Sequence, residues 1–452
     1  MVVRPIRPKS KARSLGLLVV LVFISLYSHY RRHHARYAEA STLTFGKTWV
    51  HRSWMKYPQP LSFPGSPSLL NKANPKALNV LFVNYHAGVE MEVHAVLAKV
   101  AASINQSVHF THTRGVGDLA DFIVTEAASL AYYPLHTDHC NSSIYDLIVV
   151  GDVVTYSRPY LQSACKTNII LYITNRFDFS INNDSEYHAL LSTASRWPNV
   201  RVIVNNLHEH NYALTARNAD IHVYAYAPST GLLSDTARNM LSDSQVNWST
   251  VDKNELIVVN KPGQNSLHSL LEKHEIPLPF IPSRYGGPLG LAGRFLVHIP
   301  YQVNTMALFE NLNNGVLYIL PSVRLYCAWL EDGTATMDSG ERRWTEKELR
   351  KYVDWYRTDL SYLFFYFEDI EDLAPKSAFR EMVEKEAEAK RGAVRNYMLY
   401  HVDRTIEAWR QAVGSFPRLS DAQVVRRDVP LVAELPQVAD LPPATPGTKA
   451  IE

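Results

Sequence analysis

Only three of the 452 residues are cysteine: Cys140, Cys165 and Cys327. That is too few for a disulfide-scaffolded fold, and at most one intrachain bridge can form with one thiol left over. A surplus of charge is missing as well. Forty-six Lys and Arg face 44 Asp and Glu, a formal charge of +2, which is not the electrostatic footprint of a dedicated nucleic-acid binder. No G-x-S-x-G, Walker A or G-x-G-x-x-G run occurs, which disfavours a serine hydrolase, a P-loop enzyme and a Rossmann dehydrogenase. No D-x-D motif follows a strand, where a metal-diphosphate site would place it. Apolar residues make up 46% of the chain and charged residues 20%. That balance supplies large cores and excludes a wholly disordered chain, a coiled coil and a multi-span membrane protein.

One long apolar run is present. Residues 15–30, LGLLVVLVFISLYSHY, carry no formal charge. Sixteen residues are slightly short of the ~20 of a usual spanning helix, but snorkelling flanks extend it. Five basic residues precede it (Arg4, Arg7, Lys9, Lys11, Arg13) and three follow (Arg31, Arg32, Arg36), which favours a cytoplasmic N-terminus. A cleaved signal peptide is the alternative, but a small-residue cleavage site is lacking after Tyr30. The run reads as a signal anchor with the body of the chain luminal. Four N-x-S/T sequons, at Asn105, Asn141, Asn183 and Asn247, agree with a secretory route. Cys140 and Cys165 are free to pair there, although sequence alone does not decide it.

The body reads as a cytoplasmic tail (1–14), the anchor (15–30), a stem (31–75), a first lobe (76–235), a second lobe with crossing helices (236–415) and a proline-rich disordered tail (416–452). Val/Ile-rich runs at 77–84, 107–113, 145–152, 168–174, 201–206 and 219–226 alternate with helical spacing at 86–104 and 119–130. A second series runs through strands at 255–260, 279–283, 294–299 and 316–320, with helices at 265–274, 286–293 and 304–313. Near-continuous apolar strands between helices mean parallel sheets covered on both faces. The chain after Glu341 reads as helical throughout, opening on a Thr345–Glu348 capping box. One helix there covers about 376–413, and the acidic run 368–372 reads as the end of the helix before it.

Ligands of open parallel sheets bind at the carboxyl ends of strands. The segment 294–322 places a strand, then Asn304 or Thr305 as a helix cap, then Gly315 as its C-terminal stop, then another strand. Such a helix points its free N–H groups at the strand ends and suits a phosphate. Glu310 lies in that helix, placed for two ribose hydroxyls. The segment resembles the donor-binding signature of retaining GT-B glycosyltransferases, as in glycosyltransferase family 4. Glu310 and Gly315 keep that family's five-residue interval, and Val316–Leu320 is its strand. Gln302 stands where the family often has a first glutamate.

The resemblance implies two Rossmann-like lobes in a type II membrane form, here a Golgi or ER protein. It implies a nucleotide-sugar donor, a glycan or glycoprotein acceptor, and no further cofactor. It implies a first-lobe loop at His86 and Gly88, where inverting relatives carry a histidine base. It also implies a basic residue for the diphosphate, for which Lys261, Arg284 and His298 are candidates. Asn175, Arg176 and Asp178 follow a strand on the cleft side and complete the catalytic candidates. No metal is expected. His208 and His210 are two residues apart, which does not stack two imidazoles on one helix face. Two rivals remain at this stage: a non-catalytic luminal binding protein with the same fold, motivated by Gln302, and a hydrolase with paired carboxylates, which nothing in the sequence marks.

Overall fold

The computed structural model describes residues 77–416 apart from 85, 114–125, 127–128, 130–136, 180, 182–183, 233–234, 261–264 and 338–343. The anchor, the stem, the proline-rich tail and most of the helix expected over 119–130 lie outside the described residues. Among the described residues no helix is long and apolar enough to cross a membrane.

The first sheet takes strands β1 (Leu78–Val83), β2 (Val108–Thr113), β3 (Leu147–Gly151), β4 (Asn168–Ile173), β5 (Val200–Val204) and β6 (Val223–Tyr226). They lie in the order β2-β1-β3-β4-β5-β6, with every pairing parallel. The order reverses between β1 and β3. Helices α1 (Ala87–Ala102), α2 (Arg158–Gln162), α3 (Ser185–Ala194) and α4 (Leu207–Ala216) make the crossovers. Alternation along each strand feeds two cores. Val80, Phe82, Val149 and Ile170 pack beneath α1, while Leu81, Val83, Ile148 and Val150 pack against Tyr160, Tyr187 and Tyr212. Cys140 and Cys165 are joined as a disulfide, with 5.4 Å between their Cα atoms.

After α5 (Asp235–Ser242) the second sheet takes β7 (Leu256–Val259), β8 (Phe280–Ile281), β9 (Phe295–Val297), β10 (Leu317–Pro321) and β11 (Phe365–Phe367). Their order is β11-β10-β9-β7-β8, again with every pairing parallel. The order reverses between β7 and β9. The helices are α6 (Asn265–Lys273), α7 (Gly287–Gly290), α8 (Met306–Asn313), α9 (Val323–Asp332) and α10 (Glu346–Tyr352). The expected helix over 286–293 shrinks to the single turn α7, because Gly286 and Gly287 both take positive φ.

The last segment departs most from the reading of its sequence. Thr345 and Glu348 do form the capping box, but α10 stops at Tyr352. Asp354 and Arg357 then pair with each other at 2.9 Å in the interior. The consecutive aromatics Phe365, Tyr366 and Phe367 become a fifth, edge strand. The acidic run 368–372 therefore follows a strand, and Asp369 and Asp372 cap each other in a short turn. The final helix, α11 (Ala378–Gly414), spans both lobes. Val383, Val394 and Met398 enter the second core, and Trp409, Ala412, Val413 and Phe416 enter the first. Arg201 of β5 fixes its end, donating from Nε to Ser415 Oγ at 2.9 Å and lying over the rings of Tyr224 and Phe416.

Candidate active site

The strand order reverses between β1 and β3, and in open parallel sheets the crevice for a ligand lies where two such strands end. His86 leaves β1 and caps α1. Its Nδ1 accepts from the Gly88 amide at 3.1 Å, and Asn84 braces its backbone on both sides. Gly88 leaves room for that ring. A Cβ on it would lie 3.0 Å from the His86 ring, closer than nearly all packed carbons come. With Nδ1 accepting, neutral His86 carries its proton on Nε2, so in this arrangement the ring presents a donor.

The neighbouring strand supplies what the sequence reading missed. Asp152 follows β3 with φ 61°, a left-handed conformation that Asp and Asn tolerate better than most residues. Gly151 before it is pressed so close to α1 that a Cβ would stand 2.8 Å from Val89. The Thr174 hydroxyl, from the end of β4, donates to Asp152 at 3.2 Å. Burial pushes the Asp152 carboxyl above its usual range, opposed by the charge of His86 and the Thr174 hydrogen bond. A Gly-Asp pair closing a central apolar strand was the available signal.

The second lobe meets this crevice through α8. Thr305 is its N-cap but makes no side-chain capping bond, so the Met306 and Ala307 N–H groups keep their capacity for an anion, while the Leu308 N–H donates to the Thr305 carbonyl at 3.0 Å. Met306, the first helical residue, packs on the first core, and its Cβ lies 3.8 Å from where a Gly88 Cβ would be. The uncapped end of α8 thus abuts the loop that holds His86. Glu310, one turn further on, lies near enough to Glu92 of α1 for its charge to act there. Burial lifts the Glu92 carboxyl to about 7, against a Thr230 amide and two hydroxyls that lower it, and the charge of Glu310 adds to the rise.

The remaining candidates fall elsewhere. Asn304 does not cap α8, since its amide donates to buried Asp354 at 2.7 Å. The main-chain carbonyl of Gln302 accepts from the Trp355 indole N–H at 3.2 Å. His298 ends β9 among the rings of Tyr301, Tyr318 and Trp355, the last at 4.7 Å. These residues wall a cavity of about 30 Å³ beside Thr305, which has room for a water or so and not for a nucleoside. Arg284 is exposed, and Lys261 lies outside the described residues. A cavity of about 360 Å³ opens beyond β10, but its arginines are engaged there, Arg324 with Glu368 at 3.2 Å and Arg350 with Glu346 at 3.8 Å.

Asn175 spends its side-chain oxygen on the Arg176 amide at 2.8 Å. Asp178 is built into the interior, where the Arg217 guanidinium and the Tyr212 hydroxyl both donate to it. It is therefore a scaffold group and not a free carboxylate on the cleft. Glu209 of α4 is also buried, and burial with the Asp178 charge raises it to about 8, while Arg176 lowers it. His208 and His210 both lie on α4; His208 packs with Tyr212, Trp344 and Tyr352.

No protein-family model and no curated protein matches this chain. Solved structures do resemble it. The glycosyltransferase SnogD from Streptomyces nogalater is 10% identical, covers 74% of this chain and 100% of its own, and has a TM-score of 0.41. The calicheamicin glycosyltransferase CalG4 is 13% identical over 74% of this chain and 96% of its own, at 0.39. The glycotransferase of kitacinnamycin is 11% identical over 75% and 100%, at 0.38. Likenesses at this level concern the course of the chain, and the chemistry has to come from the residues.

Proposed function

We propose that the chain is a glycosyltransferase of the GT-B type. It moves a sugar from a nucleotide-sugar donor to a hydroxyl of a glycan or glycoprotein. The observation that carries this reading is the meeting of two unlike sites at one crevice: an acidic group of raised affinity for protons, Asp152, and an uncapped helix N-terminus, that of α8. Asp152 takes the proton of the acceptor hydroxyl, whose oxygen attacks the anomeric carbon. The bond from that carbon to the diphosphate breaks, and its electron pair leaves with the nucleotide. The developing negative charge falls on the N–H groups of α8, with the His86 Nε2–H as a further donor. This assigns the leaving-group charge to helix N–H groups where other transferases use a metal. One displacement with a base on the acceptor side inverts the anomeric centre, so Glu310 contributes to donor binding without imposing retention.

The secretory setting belongs to the same proposal. The apolar run 15–30, the four sequons and the Cys140–Cys165 bridge all suit a type II protein of the Golgi or ER with its body in the oxidising lumen. The test is release of nucleoside diphosphate from UDP-, GDP- and dTDP-sugars by the purified full chain with glycoprotein acceptors. One donor class should support turnover, the product should show the inverted anomeric configuration by NMR, and Asp152→Asn should slow it by about 10²–10⁴-fold. Turnover unchanged in Asp152→Asn would remove the assigned base. Nucleotide binding without any turnover would instead favour a non-catalytic carrier on the same fold.

A further inference from the structure

Three metal-ligating side chains converge on the outer edge of the first sheet, on residues the proposed transfer does not use. Glu90 and His94 are four residues apart on α1 and share one helix face. His112 lies on the edge strand β2. It shares its face with Phe110, because side chains alternate along a strand, and that face looks onto α1. One ligand atom from each of the three lies within 4.8 Å of the other two. His112 Nδ1 and Glu90 Oε1 are 3.9 Å apart.

Tetrahedral zinc with bonds of about 2.0–2.2 Å sets its ligand atoms roughly 3.4 Å from one another. The trio therefore has to draw in by about 1 Å or less on average, a movement within reach of side-chain rotation. Two of the three are free to make it, since the side chains of Glu90 and His112 are about one-third exposed, at 35% and 33%. The third is fixed. The His94 ring stacks on Phe110 at 3.9 Å and leans on Phe82 at 6.0 Å. Its Nε2 is buried with no hydrogen-bond partner, an arrangement that hydrogen-bonded interiors avoid.

Two imidazoles and a carboxylate are a nitrogen–oxygen donor set suited to a borderline divalent ion. Three protein ligands leave a fourth position for water or a substrate atom. We propose that Glu90, His94 and His112 form a Zn²⁺ site with one open coordination position. The site does not depend on the transferase reading, because none of its ligands is given a part in the transfer.

The test uses the full chain, stripped with a chelator and dialysed, then titrated calorimetrically with ZnCl₂ and spectroscopically with CoCl₂. The expected result is one ion per chain, micromolar affinity or tighter, and the strong visible bands of tetrahedral cobalt. His112→Ala and Glu90→Gln should each weaken binding by about 100-fold or more, since even outer partners of a metal site cost 10–100-fold when removed. Both side chains are partly exposed, so far-ultraviolet dichroism should stay unchanged in the variants. Absence of stoichiometric binding would overturn the proposal. So would undiminished binding in both variants, which would place the ion on other histidines such as His33 and His34.

Discussion

At Asp152 the backbone and the side chain make separate demands that mutation can pull apart. Its φ of 61° costs an ordinary L-residue about 1–2 kcal/mol, and Asn less. Asp152→Ala should therefore lower the melting temperature by several degrees and slow turnover by about 10²–10⁴-fold together. Asp152→Asn should leave the melt nearly unchanged and slow turnover alone. Gly231 makes a harder demand. It has φ 67°, and a Cβ there would stand 2.2 Å from the Phe309 carbonyl oxygen. Gly231→Ala should destabilise by about 2–4 kcal/mol through strain and overpacking, read as a lower denaturant midpoint.

Glu92, one turn into α1 from the His86 loop, links pH to stability. Folding raises its pKa from 4.5 to about 7, so between those values the folded chain holds a proton that the unfolded chain has released. The stability from that proton is full below about pH 4.5 and lost as pH rises through 7. It amounts to at most about 3 kcal/mol. Glu92→Gln should flatten this decline in a series of melts from pH 4.5 to 8. His401 grips the same segment, its Nε2 donating to the Ser229 carbonyl at 2.7 Å. Burial takes its pKa down from 6.5 to about 4, with the Ser229 bond opposing. Its contribution is present above pH 6.5 and is lost as pH falls through 4, the opposite slope.

Among the elements, α8 is the one whose ends the sequence announced. Gly315, with φ 72°, stops it as a C-terminal glycine does, and the strand after it is a plain apolar run. The N-cap was only half legible. Asn304 and Thr305 are equally good capping residues locally, and the choice fell to Asp354, 50 residues on, which takes the Asn304 amide. The result is a helix start without a side-chain cap, and it gives a prediction of two signs. Thr305→Asp should stabilise the helix by about 0.5–1 kcal/mol. The same carboxylate should repel a diphosphate and weaken nucleotide binding about tenfold or more by calorimetry. Strand β11 was not legible for a related reason. Tyr352, Val353, Tyr356, Leu360 and Leu363 have helical spacing, but the helix ends at Tyr352, and Val353, Tyr356, Leu360 and Leu363 are buried in the turns around the Asp354–Arg357 pair. A buried ion pair set by the tertiary fold outweighed the local period.

Across the whole molecule, two parallel sheets share one long helix, and the sequence showed this because strands buried on both faces are continuous apolar runs. Candidate site residues divide by how local their placement is. His86, Gly88 and Thr305 stand at strand ends and helix starts, which patterning locates. Asp152 and the Glu90–His94–His112 cluster depend on the pairing β2-β1-β3, and Glu92 on its meeting with Ser229 and Thr230, about 140 residues on; neither is written in any one segment. The shared helix should matter to both lobes. Trp409 is fully buried against Tyr172 of β4, with ring centroids 5.0 Å apart. Trp409→Ala should cost about 3–5 kcal/mol, seen as a lower denaturant midpoint for the first lobe.

A nucleotide diphosphate seated where α8 meets the His86 loop is tested by melting the full chain with UDP, GDP, CDP and dTDP, beside Thr305→Asp and Glu310→Ala. At 100 times its dissociation constant a ligand adds about 2.7 kcal/mol to the folded state, a shift that a melt resolves. A rise in melting temperature with one nucleotide, diminished in both variants, is the predicted result. A well-folded chain whose melting temperature no nucleotide moves, or moves equally in both variants, would contradict it.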